Sequence, residues 1–416
     1  MAMSWSSLDR PPQGRLAFRC ARGLLLAAVA ARPAAAAEVY FQPLATLTAE
    51  TNSNLELDPG TRQQVEGYLA DVSTIIGIAT PDSNTMIKPR LQYSEYPQDS
   101  ADDRLEGQLD LSSSFRTQRS AGRITGSYQH LDSFNAELTS PLFNDLNPVQ
   151  PTNPETGKVT YGASESNLLL YPTYSYKLTP IIGAGVSGVY QNVTYTPAEN
   201  LGHSDFDYYQ AKAFLSWSYS QRTDLSFGVF GSKFQVSHVD SEATGSGATV
   251  DLNTSWSPVF STHASLIYQH TSIADEAVAD DNRAVGAVGG NVYASYRSQV
   301  SEIKFSAGRG FTPSGAAAVY SVDTAQLQYN RTLNARLSFL GAVIGLRTRV
   351  LGAAATNNND NRSYAQTLLE GKWLITRNWF VQGGYQYQWQ KYQSDPESAA
   401  NNRIYIRIGY QGLAPQ

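Results

Sequence analysis

Arg403-Ile404-Tyr405-Ile406-Arg407-Ile408-Gly409-Tyr410 changes side-chain character at nearly every step. In an extended chain Ile404, Ile406, Ile408 and Tyr410 share one face, and Arg403, Tyr405, Arg407 and Gly409 share the other. Successive strand side chains point to opposite sides, so this segment asks for an apolar surrounding on one face and water on the next. The segment before it repeats the pattern, with Trp379, Val381, Gly383, Tyr385 and Tyr387 opposing Phe380, Gln382, Gly384, Gln386 and Gln388. Upstream, Leu105, Gly107, Leu109 and Leu111 oppose Glu106, Gln108 and Asp110, and Ala213, Leu215, Trp217 and Tyr219 oppose Lys212, Ser216 and Ser218. Alternation over ~10 residues is the mark of a membrane-spanning strand.

Composition agrees. Charged residues are 16% of the 416, against roughly 25% in ordinary soluble domains. Mean hydropathy is nevertheless negative, at −0.33. Polar uncharged side chains therefore replace the charges, together with 25 Tyr and 32 Gly. Such a chain suits β-structure and excludes a basic nucleic-acid binder, a disulfide scaffold and a helical polytopic membrane protein.

The connections decide between a barrel and a sandwich. Short turns fall near 81–83, 120–122, 179–180, 221–223, 258–260, 298–300, 331–333 and 376–378. Long ones lie at 53–64, 96–103, 132–165, 193–206, 238–247, 272–286, 311–318, 351–362 and 393–402. Eight short and nine long connections make 18 strands with both chain ends on the short-turn side. This predicts an all-β fold, a transmembrane antiparallel up-and-down barrel of 16–18 strands; the range reflects the stretch 336–348, which is apolar on both parities. Closure leaves no sheet edge for lipid to meet. Tyr174, Tyr176, Trp217, Tyr219, Trp256, Tyr296 and Trp379 adjoin short turns, where an aromatic girdle belongs.

A charge facing mid-bilayer costs ~2–4 kcal/mol in such barrels, so the charged parity must face the lumen. The expected lumen-lining residues are Lys88, Arg90, Arg104, Glu106, Asp110, Arg116, Arg123, Glu370, Lys372, Gln382, Gln386, Gln388, Arg403 and Arg407. They read either as a charge-paired, hydrated wall or as a path for a polar, hydroxyl-rich solute. The 132–165 loop, with Pro141, Pro148, Pro151 and Pro154, is too long for a passive link. It can plug the lumen or extend outward. Residues 357–362 read as a polar loop tip.

The first 37 residues read as an export signal ahead of a single barrel domain, 38–416. Arg10, Arg15, Arg19 and Arg22 precede an apolar run from Leu24 to Ala31, and Ala35 and Ala37 flank a cleavage site before Glu38. Arg32 and Pro33 end the run at about half the ~20 residues a helical span needs. Five of the 31 basic and one of the 36 acidic residues lie in this leader, leaving 26 against 35, a charge of −9. Cys20, the one cysteine, leaves with it.

Catalytic motifs are weak. Gly183-Ala184-Gly185-Val186-Ser187-Gly188 matches a dinucleotide fingerprint but opens no helix. His130, His203, His238, His263 and His270 have no metal-ligand spacing. No cofactor or metal is expected. An outer-membrane hydrolase ranks third, behind a pore and a closed barrel that binds a surface partner.

Glu50-Thr51-Asn52-Ser53-Asn54-Leu55 resembles the E-T-D-N-N/I start of a family of Gram-negative outer-membrane β-barrel porins. Pro89-Arg90-Leu91-Gln92-Tyr93-Ser94-Glu95-Tyr96 is similar to that family's P-x-L-x-Y-x-x-Y region. The last strand resembles the signal read by the barrel-insertion machinery, though Gln411 to Gln416 follow Tyr410. The resemblance implies an outer-membrane pore associated with exopolysaccharide secretion, with lipid, the insertion machinery and polysaccharide as partners.

Overall fold

The computed structural model describes residues 37–60, 63–98, 103–138, 140–143, 163–196, 203–237, 241–275, 283–315, 318–351 and 361–412. Eighteen strands follow one another: β1 (Glu38–Asn52), β2 (Val65–Thr80), β3 (Ser83–Glu95), β4 (Arg104–Arg116), β5 (Ser120–Asp132), β6 (Ser164–Lys177), β7 (Ile182–Thr196), β8 (Phe206–Ser220), β9 (Thr223–Val236), β10 (Ser241–Ser257), β11 (Phe260–Asp275), β12 (Arg283–Arg297), β13 (Ser301–Ser314), β14 (Ala318–Thr332), β15 (Leu337–Val350), β16 (Arg362–Leu374), β17 (Trp379–Tyr392) and β18 (Ala399–Gln411). A single helical turn, α1 (Ser133–Glu137), leaves β5. Each strand pairs antiparallel with its chain neighbours, and β1 closes the ring on β18 from Leu44↔Gln411 to Asn52↔Arg403.

Alternation sets which face meets what. Leu47, Val72, Leu91, Leu215, Val229, Leu266, Ile404 and Ile406 are all more than half exposed on the outer face. A belt this large cannot rest in water, and the barrel spans a membrane. Aromatics bound the belt at both ends. Tyr209 and Trp217, Tyr268 and Phe260, and Tyr387 and Trp379 are each exposed. Each pair lies eight residues apart on one strand, about 27 Å along it, or about 20 Å of height at ~40° tilt.

Two prolines interrupt the wall where their missing N–H predicts. The β2–β3 ladder passes from Ser73↔Arg90 to Ile76↔Ile87, skipping Pro89, and the β6–β7 ladder skips Pro172. The glycine-rich 183–188 stretch lies inside β7. A Cβ at Gly185 would strike the Phe214 ring and the Tyr174 carbonyl, so packing within the wall, not phosphate binding, explains it.

Five long connections are clearly shorter than the sequence suggests. The strands continue to leave only 197–205, 237–240, 276–282, 315–317 and 393–398 between them. Beyond the hydrocarbon neither face need be apolar, so polar runs such as Ser241–Gly247 hide strands that hydrogen bonding alone sustains.

The wall parts most widely between β12 and β13. The β12–β13 ladder runs only from Arg297↔Glu302 to Gly290↔Arg309, although both strands continue beyond it. Past that point the β13–β14 hairpin leans across the mouth. Phe311 and Val319 pack with Phe234, Ala243 and Phe206 from β8–β10, and the Gly315 carbonyl accepts from the Ser204 N–H at 2.8 Å.

Candidate functional site

By cross-strand register, the inner face carries every one of the fourteen lumen residues named from the sequence, in three groups.

One group is buried beneath the 53–60 connection. Arg403 Nε donates to Glu50 Oε2 at 2.7 Å and Arg403 Nη1 to Gln386 Oε1 at 3.3 Å. Glu50 also accepts from Asn52 at 2.8 Å and from the Tyr96 hydroxyl at 3.1 Å. Asn401 bridges Asn52 and Gln388, and Gln390 holds the Leu57 carbonyl at 2.8 Å. Burial, then the Glu50 charge, pushes the Tyr96 phenol well above its ordinary range, so it stays a donor. Arg403, Gln386 and Gln388 thus hold the connection down over the lumen.

The second group anchors α1. Asp132 caps it, accepting from the Phe134 N–H at 2.9 Å. Glu106 accepts from Asn135 Nδ2 at 2.6 Å, and the Arg104 guanidinium lies 5.2 Å over the Phe134 ring. From there the chain turns inward. Leu138 packs against the buried cluster that includes Leu57, Tyr320, Ile344, Leu346 and Tyr364. Arg362 Nη1 donates to the Glu137 carbonyl at 2.9 Å. The Phe143 N–H donates to Gln328 Oε1 at 3.0 Å, and its ring meets Tyr293 edge-on at 5.8 Å. Gln328 belongs to β14, nine strands from β5 in a ring of eighteen. The described stretches 133–138 and 140–143 therefore reach across the lumen from one wall to the opposite one. This answers the plug-or-extend question for the described part of the loop; 144–162 lie outside the described residues.

That crossing also explains β15. Its inner face carries Leu340, Ala342, Ile344 and Leu346, which are dry because Leu57 and Leu138 cover the upper part and Leu368 and Tyr405 the lower. It also corrects one reading. Arg362 is no loop-tip residue; it is 1% exposed inside the barrel, stacked 4.7 Å over Tyr364. Its parity with Tyr364 and Gln366 was the available signal.

The third group lines the wall from mid-height down to the short turns. Arg90 bonds Asp71 through Nε at 2.6 Å and Gln92 through Nη2 at 2.7 Å, yet its side chain stays 42% exposed. Gln108 Nε2 donates to Asp110 at 3.0 Å. Lys88, Arg116 and Arg123 share this wall, so four cations face two carboxylates on its open part. Arg407 donates to Thr48 at 2.9 Å, Lys372 reaches Gln411 at 2.7 Å, Gln382 lies across from both, and Tyr405 donates to Glu370. Opposite, Lys212 pairs with Asp251 at 3.0 Å. Sequence alone marks neither Asp71 nor Asp251, since a lone acid on a polar parity carries no motif.

The histidines stay apart. His130 contacts Ser166 at 2.9 Å on the outer face, His263 contacts Asn253 at 2.7 Å, and His203 stacks on Tyr195 at 4.7 Å. His238 lies outside the described residues.

No protein-family model matches the chain, and no curated protein does. Among solved structures it is similar to Pseudomonas aeruginosa OccK5 (OpdH), at 10% identity and TM-score 0.43 over 90% of this chain and 99% of that one. P. aeruginosa OccK2 (OpdF), solved in complex with glucuronate, gives 11% and 0.43 over 90% and 99%. Acinetobacter baumannii OccAB4 gives 10% and 0.42 over 89% and 98%. Likenesses this distant transfer neither residues nor substrates.

Proposed function

We propose that this chain is a passive conduit of the bacterial outer membrane for small polar solutes, and that residues 1–37 are removed before the barrel, 38–416, is inserted. The carrying observation is that 133–138 and 140–143 reach across a lumen lined by mixed charges and amides. Barrels of 16–18 strands enclose an aqueous channel unless something crosses it. Here the crossing descends through the lumen to Gln328 near the short-turn end of β14, while Lys88, Arg90, Arg116 and Arg123 bias the β3–β5 wall toward anions. Amides and tyrosines suit hydroxyl-rich solutes. Such a protein spares a solute the cost of entering lipid and performs no bond chemistry.

Planar-bilayer conductance of the purified barrel tests this. The expected result is small, mildly anion-selective channels that widen several-fold when 135–162 are deleted. Absence of any channel in both proteins would overturn the reading.

Export of a polysaccharide is the second reading, favoured by the Glu50–Tyr96 resemblance. It requires 133–143 to leave the β14–β16 wall. Liposomes that swell in monosaccharide but not in oligosaccharide favour the first reading over it.

A further inference from the structure

Three arginines converge on one carboxylate on the outside of the barrel. Arg309 of β13 clamps Asp323 of β14 with two bonds, 2.6 and 2.9 Å. Arg349 of β15 approaches the same carboxylate at 3.7 Å, and Arg347 lies directly across from Asp323 in the ladder. These side chains point away from the lumen, for their strand neighbours Leu346, Thr348, Val322 and Thr324 are the buried ones. One negative charge cannot neutralise three guanidiniums, and the Arg309 and Arg349 side chains remain 45% and 46% exposed. Elsewhere on the outer face Lys233 and Glu242 pair one to one at 3.1 Å.

Height gives the cluster its meaning. Ser301, Arg331 and Phe339 are register partners at the lower end, and Arg309, Asp323 and Arg347 are register partners eight residues above them. Eight residues is the separation of the two aromatic girdles. Below the cluster the outer face is apolar, with Ile303, Phe305, Leu327 and Val343 exposed. Among the described residues, an excess charge of two therefore sits where hydrocarbon gives way to headgroups. Guanidinium forks match phosphate geometry, and cations at this height are drawn to an anionic membrane surface.

We propose that Arg309, Arg347 and Arg349 form a binding site for the phosphate groups of an outer-leaflet lipid. Because the site faces outward, it stands or falls independently of conduction through the lumen.

The test titrates the full barrel in non-ionic detergent with a bisphosphorylated glycolipid, its dephosphorylated counterpart, and inorganic pyrophosphate. Tighter binding of the phosphorylated lipid by tenfold or more is expected. Arg347→Gln/Arg349→Gln, which keeps the Arg309–Asp323 pair, should lose about that factor. Asp323→Asn, which removes the competing carboxylate, should tighten binding several-fold. Retained heat-modifiable gel mobility verifies that each variant is folded. Equal binding of both lipids, or no change in the double variant, overturns the site. Displacement of the lipid by equimolar pyrophosphate overturns its assignment to a lipid.

Discussion

The Phe143 N–H and the Gln328 side-chain carbonyl, 3.0 Å apart, join chain leaving β5 to the strand on the far side of the barrel. The link is buried. Losing a buried acceptor costs about 1–3 kcal/mol because the donor is left without a partner. Gln328→Ala should therefore release the end of the crossing segment. Single-channel records of the variant are expected to show larger and noisier conductance than wild type, with the barrel's thermal midpoint little changed.

Glu50 and Arg403 make the converse case, an ion pair whose loss should cost stability. The Glu50 side chain is 2% exposed and that of Arg403 21%. Removing one partner of a buried pair costs ~3–5 kcal/mol, and the partial exposure of Arg403 brings the expectation down to about 2. Glu50→Ala should lower the temperature at which the barrel loses its compact gel mobility. Glu50→Met/Arg403→Met should recover much of the loss, because both charges are then gone.

Tyr96 adds a pH dependence to the same latch. Its folded phenol titrates above the unfolded value, mainly through burial and then through Glu50. A group with a raised folded pKa stabilises fully below its unfolded pKa, and that contribution fades as pH rises through the folded one. The 53–60 connection should stay closed through neutral pH and loosen only in alkali beyond the usual tyrosine range. Limited proteolysis across pH 8–12 measures this, and Tyr96→Phe should abolish the alkaline step.

Ile406 and Arg407 are chain neighbours on opposite faces, at mid-height between the girdles. Ile406 is 60% exposed on the outer face. Ile406→Arg should destabilise the barrel in vesicles by ~2–4 kcal/mol, whereas Arg407→Ile, inside, should chiefly alter ion selectivity. Equilibrium unfolding in vesicles separates the two, and an unaffected Ile406→Arg would contradict the lipid-facing assignment.

The short ladder between β12 and β13 predicts uneven protection. Amides of residues 285–289 should exchange hydrogen faster than those of 291–297, as measured by mass spectrometry.

The barrel was legible in the sequence because hydrocarbon enforces alternation. Ile404, Ile406 and Ile408 have no freedom to be polar, nor Arg403 and Arg407 to be apolar. Where that pressure ends, so does legibility. Above the girdle Ser241–Gly247 forms strand with no apolar parity, so it resembled a loop. Inside the barrel, the dry face of β15 blurred the pattern because a distant segment covers it, and no local signal announces such a contact. Arg362 was misread for the same reason, since its partner Glu137 lies 225 residues away. The inner-facing charges followed from parity. Their division into anchors and open wall required knowing where the loops go.

The segment that crosses the barrel is fastened at its far side through its own main chain, by the Glu137 carbonyl and the Phe143 amide. Every residue carries a main-chain carbonyl, and every residue but proline a main-chain N–H. At these two points the beam's course depends on backbone rather than on side-chain chemistry, so residue 143 could be exchanged for any residue but proline, at the cost of the Tyr293 ring contact, to retune what the aperture admits without rebuilding its frame.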